Sequence, residues 1–312
     1  MKVLVADDEA VSRRLLENTL RRWEYEVVCA QDGLEASEIL KQPDAPKLAI
    51  LDWQMPGLDG VQICREIRSK QAEPYTYILL LTGKNAKCDV VEGLNAGADD
   101  YVIKPFDSQE LQVRLRTGKR ILYLQEQLIA ARETLRDQAT HDSLTGLWNR
   151  AATLELLMAE IARQQRAGGP IGVALVDLDA FKQINDAHGH LIGDEILCAA
   201  ATVMQNCTRR YDAVGRFGGE EFIIVLSGCD QINAMSHAER VRSAIEKIAV
   251  QTPAGAVGLT ASFGVTVARP GQNVDACGLI RAADAALYQA KHNGRNCVEF
   301  IDSDKYSAVS CV

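Results

Sequence analysis

Short apolar runs alternate with amphipathic stretches over residues 1–106. Residues 3–6 (Val-Leu-Val-Ala) predict a strand. Residues 10–22 predict a helix with Val11, Leu15, Leu16 and Leu20 on its apolar face. The alternation continues with strands at 26–30, 48–51, 77–81 and 101–103, and helices at 33–41, 60–69 and 86–96. Five β/α units in order imply an α/β, doubly wound parallel sheet, whose functional residues gather at the carboxyl ends of the strands. Residues 108–140 read as one long helix. Ile121, Leu128 and Leu135 recur every seven residues, with Leu124, Ala131 and Gln138 three behind. That a/d stripe, flanked by charge, predicts a parallel coiled-coil stalk; the alternative is a connecting helix packed on its own domain. Gly118 near its start reads as a flexible point.

The pattern changes after residue 140. Helices are predicted at 150–166, 192–207, 232–248 and 276–293, with strands at 171–176, 214–217, 222–226, 261–267 and 297–300. The strands at 214–217 and 222–226 flank a glycine-rich turn and form a hairpin. A hairpin inside a mixed order points to an α+β domain with a mixed sheet. The expected division is 1–106, 107–140 and 141–312.

The length of 312 residues fits about two domains. The net charge of −8 is spread as −5, +1 and −4 over those three segments. No segment is basic enough for a nucleic-acid groove, so a DNA-binding output and a nucleic-acid polymer partner are not expected. Nine cysteines lie outside any Cys-x-x-Cys or Cys/His grouping, as for reduced thiols. No leader-like layout opens the chain and no apolar run approaches ~18 residues. A cytoplasmic, soluble protein with no membrane partner is therefore the expectation.

Candidate chemistry sits at the strand ends. Asp7 and Asp8 follow the first strand, Asp52 ends the third, Thr82 the fourth and Lys104 the fifth. Each alone is unremarkable, since an Asp-Asp pair also reads as a solvated turn. Together at one sheet edge, the acids suit a hard cation and the lysine suits a phosphoryl group. These residues resemble a response-regulator receiver domain, which has a flavodoxin-like fold. The resemblance implies that Asp52 accepts phosphate from a cognate histidine kinase. It also implies that Asp7, Asp8, Asp52 and the carbonyl of Gln54 hold Mg²⁺ or Mn²⁺, and that Thr82, Tyr101 and Lys104 form the switch. On local grounds Tyr101 reads equally as a half-buried strand tyrosine.

In the second half, Asp177-Leu178-Asp179 follows a buried strand, and Gly218-Gly219-Glu220-Glu221 forms the hairpin turn. Alone, that turn reads as a hairpin with solvated acids. If strand and hairpin are neighbours, the carboxylates meet, and a metal with substrate phosphates would offset their repulsion. The segments DSLTGLWNR (142–150), DLDAFKQINDAHGHLIGD (177–194), RFGGEEF (216–222) and Lys291 with Gly294-Arg295-Asn296 resemble the GGDEF family of diguanylate cyclases in its GGEEF variant.

The resemblance implies nucleotidyl-cyclase chemistry that turns two GTP into cyclic di-GMP and two pyrophosphates. Asp177, the Leu178 carbonyl and Glu220 would hold metal, with Glu220 as base and Glu221 assisting. Asn185 and Asp194 would read guanine. Gly219, Lys291 and Arg295 would hold the triphosphate. Phe181 reads as core, and Asp179 and Lys182 receive no role. Each domain would hold one GTP, so a homodimer through receiver and stalk is implied. Arg209 and Asp212, with five residues between Asp212 and Gly218, match the product-inhibition site, which Arg240 would join from a neighbouring domain. A bare Arg-x-x-Asp otherwise reads as an exposed ion pair. A non-catalytic receptor for cyclic di-GMP or GTP, and a cyclase of another nucleotide, are the rival readings.

Overall fold

The backbone of the computed structural model is described for residues 1–69, 75–83, 87–252 and 255–306. Two compact units divide the chain, Met1–Glu133 and Thr134–Val312.

In the first unit, strands β1 (Lys2–Ala6), β2 (Glu26–Ala30), β3 (Leu48–Asp52), β4 (Tyr77–Thr82) and β5 (Asp100–Ile103) pair in the order β2-β1-β3-β4-β5. Every pairing is parallel. Helices α1 (Ala10–Arg22), α2 (Gly33–Leu40), α3 (Gly60–Ser69) and α4 (Lys87–Asn95) connect them, and α5 (Ser108–Thr140) follows. Side-chain alternation gives each sheet face its own core. Val3, Val5, Ile50 and Leu79 pack with Leu16 and Leu20 of α1 and Leu111 and Leu115 of α5. Leu4, Ala49, Leu51 and Leu80 pack with Ala36 of α2 and Ile63 of α3. Burial on both faces explains the continuous apolar strands. The expected start of α4 at residue 86 lies outside the described residues.

Two expectations fail here. Val11 and Leu15 were expected on the buried face of α1, but they are 76% and 61% exposed. The helix is seated through Leu16 and Leu20, and Ser12 turns inward to donate to Asp7 Oδ2 at 2.6 Å. That places Val11 and Leu15 roughly 100° or more around the helix. Gly118 is not a flexible point. It is buried in α5 against Tyr77, where a Cβ would lie 2.6 Å from the ring's Cδ1. Its glycine permits close approach of helix and sheet.

The second unit holds α6 (Arg150–Ala167), β6 (Ile171–Leu178), α7 (Phe181–His188), α8 (His190–Cys207), β7 (Ala213–Gly218), β8 (Glu221–Ser227), α9 (Gln231–Ile245), β9 (Ala249–Thr252), β10 (Gly255–Gly258), β11 (Ala261–Ala268), α10 (Ala276–His292) and β12 (Val298–Phe300). Its main sheet runs β12-β11-β6-β8-β7, and β9 and β10 form a separate antiparallel pair. The sheet is mixed: β11–β12 is parallel and the other pairs are antiparallel. α8 and α9 cover one face through Ile196, Ala200, Met204, Ala238 and Val241. α10 covers the other through Leu279, Ala283 and Leu287. Phe181 is 7% exposed in the first of these cores, as expected.

Candidate functional sites

At the carboxyl edge of the first sheet, Asp7 is fully buried, Asp52 half-buried and Asp8 exposed. One carboxylate oxygen of each lies within 4.8 Å of the others, so the three fit a single oxygen-ligated cation. Lys104 Nζ donates to Asp7 Oδ2 at 2.8 Å and to Asp52 Oδ2 at 2.9 Å. Asp7 also accepts from the Glu9 amide and from Ser12 Oγ. Burial pushes the Asp52 carboxyl up, and the Lys104 hydrogen bond only partly offsets it. Burial pulls Lys104 down, but its bonds to Asp7 and Asp52 outweigh that and hold the ammonium above its ordinary range. Asp52 therefore stands as a desolvated carboxylate beside one fixed cation. Thr82 ends β4, buried, Tyr101 is half-buried in β5, and Gln54 is exposed two residues beyond β3.

In the second unit, β6 extends to Leu178, so Asp177 lies within the strand rather than after it. The β6–β8 register sets Asp177 opposite Glu221, and the Leu178 amide bonds to the Glu220 carbonyl. Strand and hairpin are thus neighbours, and the charge of Glu220 is felt at Asp177 and that of Asp177 at Glu221. Lys291, in the last turn of α10, donates to Asp177 Oδ2 at 2.7 Å. Burial raises the Asp177 carboxyl; Lys291 lowers it, and Glu220 and Asp179 push it up again. Glu221 is also raised, by burial and then by Asp177. A carboxylate pair this poorly neutralised fits a divalent cation.

The turn between β7 and β8 contains Gly219 at φ 47°, after a register shift between Arg216 and Gly218. Arg216 holds it. Its Nε donates to the Gly219 carbonyl at 2.9 Å, and its Nη1 reaches both Asp142 carboxylate oxygens at 3.1 and 3.2 Å. Sequence reading gave Asp142 and Arg216 no role. Their signal was present in the matched motifs, but a partnership across 74 positions is invisible without the fold.

Asn185, on α7, has its Oδ1 buried with no hydrogen-bond partner. A Cβ on Gly193 would lie 1.9 Å from that oxygen, so glycine is what leaves room for it. Asp194, the next residue, is exposed. Arg295 is exposed and takes φ 63°.

Arg209 and Asp212 share a turn, with the Asp212 amide bonded to the Arg209 carbonyl. The side chains find other partners: Arg209 Nη1 donates to Tyr211 Oη at 2.8 Å, and Asp212 Oδ1 accepts the Ser227 amide at 2.9 Å. Both residues line a groove of about 360 Å³ that also includes Trp148 and His141, whose rings stack at 4.3 Å. Arg240 is exposed and donates to the Cys207 carbonyl at 3.0 Å.

The diguanylate cyclase GGDEF domain model matches residues 139–297, and the response regulator receiver domain model matches residues 3–116. Response regulator PleD of Caulobacter vibrioides is 31% identical over 286 residues, covering 87% of this chain and 62% of PleD. Diguanylate cyclase DgcP of Pseudomonas aeruginosa is 36% identical over 214 residues, covering 67% of this chain and 32% of DgcP. The chain thus spans less than two thirds of the length of these curated relatives. The coiled coil and GGDEF domain of DgcB from Caulobacter crescentus, solved in complex with c-di-GMP, matches with a TM-score of 0.55 at 28% identity, covering 61% of this chain and 99% of that one.

Proposed function

Because this chain belongs to the GGDEF family of diguanylate cyclases and begins with a response-regulator receiver domain, we propose that it is a phosphorylation-regulated diguanylate cyclase. The carrying observation is the meeting of Asp177 with the Glu220-Glu221 turn, with Lys291 bonded to Asp177. In this reading Asp177, the Leu178 carbonyl and Glu220 hold Mg²⁺ or Mn²⁺, which when bound neutralises triphosphate charge and favours ionisation of the ribose hydroxyl.

The residues of the chain do the rest. Glu220 takes the proton of the 3′-hydroxyl of one GTP, and Glu221 assists. That oxygen bonds to the α-phosphorus of the GTP in a second copy, and the bond to the β-phosphate bridging oxygen breaks, releasing pyrophosphate. The reciprocal attack closes cyclic di-GMP. Lys291 and Arg295 hold the triphosphate by charge-assisted bonds, and Gly219 lets backbone approach it. The buried, unpartnered Asn185 Oδ1 and the Asp194 carboxylate are acceptors for guanine N–H groups that adenine does not offer.

Control is assigned to the receiver and the stalk. Asp52 accepts a phosphoryl group from a histidine kinase, beside Asp7, Asp8, Gln54 and Lys104. Thr82 and Tyr101 respond, and the stalk over 107–140 brings two GTP-bound domains together. Arg209 and Asp212, with Arg240 from a neighbouring copy, bind cyclic di-GMP as inhibitor. No described helix is long and apolar enough to cross a membrane, and a cytoplasmic setting is part of the same reading.

The test is turnover. Purified full-length protein with GTP and Mg²⁺, with and without a phosphoryl donor, is expected to yield cyclic di-GMP and pyrophosphate by chromatography. Glu220→Gln is expected to yield none. Absence of product from the wild-type chain in both conditions overturns the reading.

A further inference from the structure

We propose that Asp179 is a positioning residue for the triphosphate-binding loop and not a metal ligand; this rests on the cyclase reading above. Asp179 is 7% exposed and stands two residues after Asp177. Its carboxylate is committed to the protein. Oδ1 accepts Ser262 Oγ at 2.7 Å. Oδ2 accepts Thr260 Oγ1 at 2.8 Å and the Asn296 amide at 3.1 Å. Its own amide donates to the Thr260 carbonyl. Asp177, by contrast, is bonded to Lys291, which the reading above assigns to the triphosphate.

The Asn296 amide belongs to the segment that carries Arg295. Arg295 and Asn296 take φ 63° and 48°, two successive left-handed conformations in residues that are not glycine. Such a backbone persists only where its surroundings hold it. Two clamps do so. From inside, Asp179 holds the Asn296 amide. From the side, Asn296 Oδ1 accepts Arg242 Nη1 at 2.6 Å, and Asn296 Nδ2 donates to Glu246 Oε1 at 2.9 Å. Arg242 is itself fixed by Glu239 and Glu246. Lys291 stands in the last turn of α10, and Arg295 lies in the loop that follows, between α10 and β12. The loop's shape sets their spacing, and Asp179 ties that shape to the strand end that carries Asp177.

The test uses the full chain and a non-hydrolysable GTP analogue. Asp179→Asn sets an amide N–H₂ against donors that now meet a carboxylate. It is expected to weaken analogue binding roughly tenfold, the loss of one charge-assisted hydrogen bond. Turnover at saturating GTP should stay within about threefold, and its Mg²⁺ dependence should not move. Wild-type affinity in a folded Asp179→Asn chain overturns the proposal. So does a shifted Mg²⁺ requirement with unchanged nucleotide affinity, since that marks a ligand.

A second pair serves if Asp179→Asn does not fold. Asn296→Gly keeps the left-handed backbone and the amide that Asp179 holds but loses the side clamp on Arg242 and Glu246, so it is expected to bind about threefold more weakly than wild type. Asn296→Val disfavours that backbone and is expected to bind about tenfold more weakly. Equal binding by the two overturns the proposal. The binding measurement needs no turnover, so a wild-type chain that makes no product sinks the cyclase reading while the loop is still tested.

Discussion

His237 is 6% exposed and sits beside the turn that carries Arg209 and Asp212. Burial, then the charge of Arg240, lowers its pKa to about 4, with Arg209 adding in the same sense and the nearby Cys207 backbone opposing. The folded state therefore keeps the imidazole neutral, while the unfolded chain protonates near pH 6.5. The unfolded state binds more protons between those values, so stability is fully present above about pH 6.5 and is lost as pH falls toward 4. The loss from pH 7 to 5 should be about 2 kcal/mol. His237→Leu removes it, so its melting temperature should fall less over that range than the wild type's. Equal falls would dismiss His237 as the titrating group. Nearby, Arg209→Ala is expected to relieve product inhibition severalfold without altering the initial rate. The guanidinium is held at present by Tyr211 rather than by Asp212, so both charges stay available to a ligand. An unchanged inhibition curve counts against the site.

At the scale of elements, Gly118 sits mid-helix where alanine should favour α5 by roughly 1 kcal/mol. The Tyr77 ring it touches is 1% exposed and packed between sheet and helix, so it cannot retreat. Gly118→Ala is therefore expected to destabilise the first unit by about 1–3 kcal/mol net, read by urea denaturation. A stabilised variant would restore the hinge reading of this glycine. The same helix shows what was legible. Its length, the parallel order of β1–β5 and the hairpin at Gly218-Gly219 follow from periodicity and turn chemistry, which are local. The faces are less local. Val11 and Leu15 are four apart, as Leu16 and Leu20 are, and only the fold selects the second pair for the sheet, with Ser12 bonded inward to Asp7. α7 runs for eight residues behind a left-handed Ala180 at φ 55°, a start that no capping residue announces. The β9–β10 pair is only four residues a side. In the sites, Asp7, Asp52 and Lys104 were readable because strand ends share an edge. Asp142–Arg216 and Asp179–Asn296 were not, because their partners are brought together only by the completed sheet.

At the scale of the whole chain, one GTP site supplies one nucleophile and one electrophilic phosphate, so the proposed reaction needs two chains. The proposed reading assigns that meeting to α5. Ile121, Leu124, Leu128 and Leu135 are 37%, 55%, 69% and 65% exposed along one helix, an apolar stripe of coiled-coil spacing. Activity per chain should then rise with protein concentration until dimers saturate. A phosphoryl mimic on Asp52, such as beryllofluoride, should move the half-maximal concentration downward. A coupling of about 1–3 kcal/mol corresponds to a shift of 5- to 150-fold. The double substitution Leu128→Asp, Leu135→Asp places like charges on the stripe of both copies. It should push the half-maximal concentration up and remove the response to the mimic, while binding of a GTP analogue to each chain stays unchanged. Activity per chain that does not vary with concentration in either protein, with dilution carried below any plausible dimer affinity, would mean that the two half-reactions do not depend on assembly through the stalk. The apolar stripe would then need another partner.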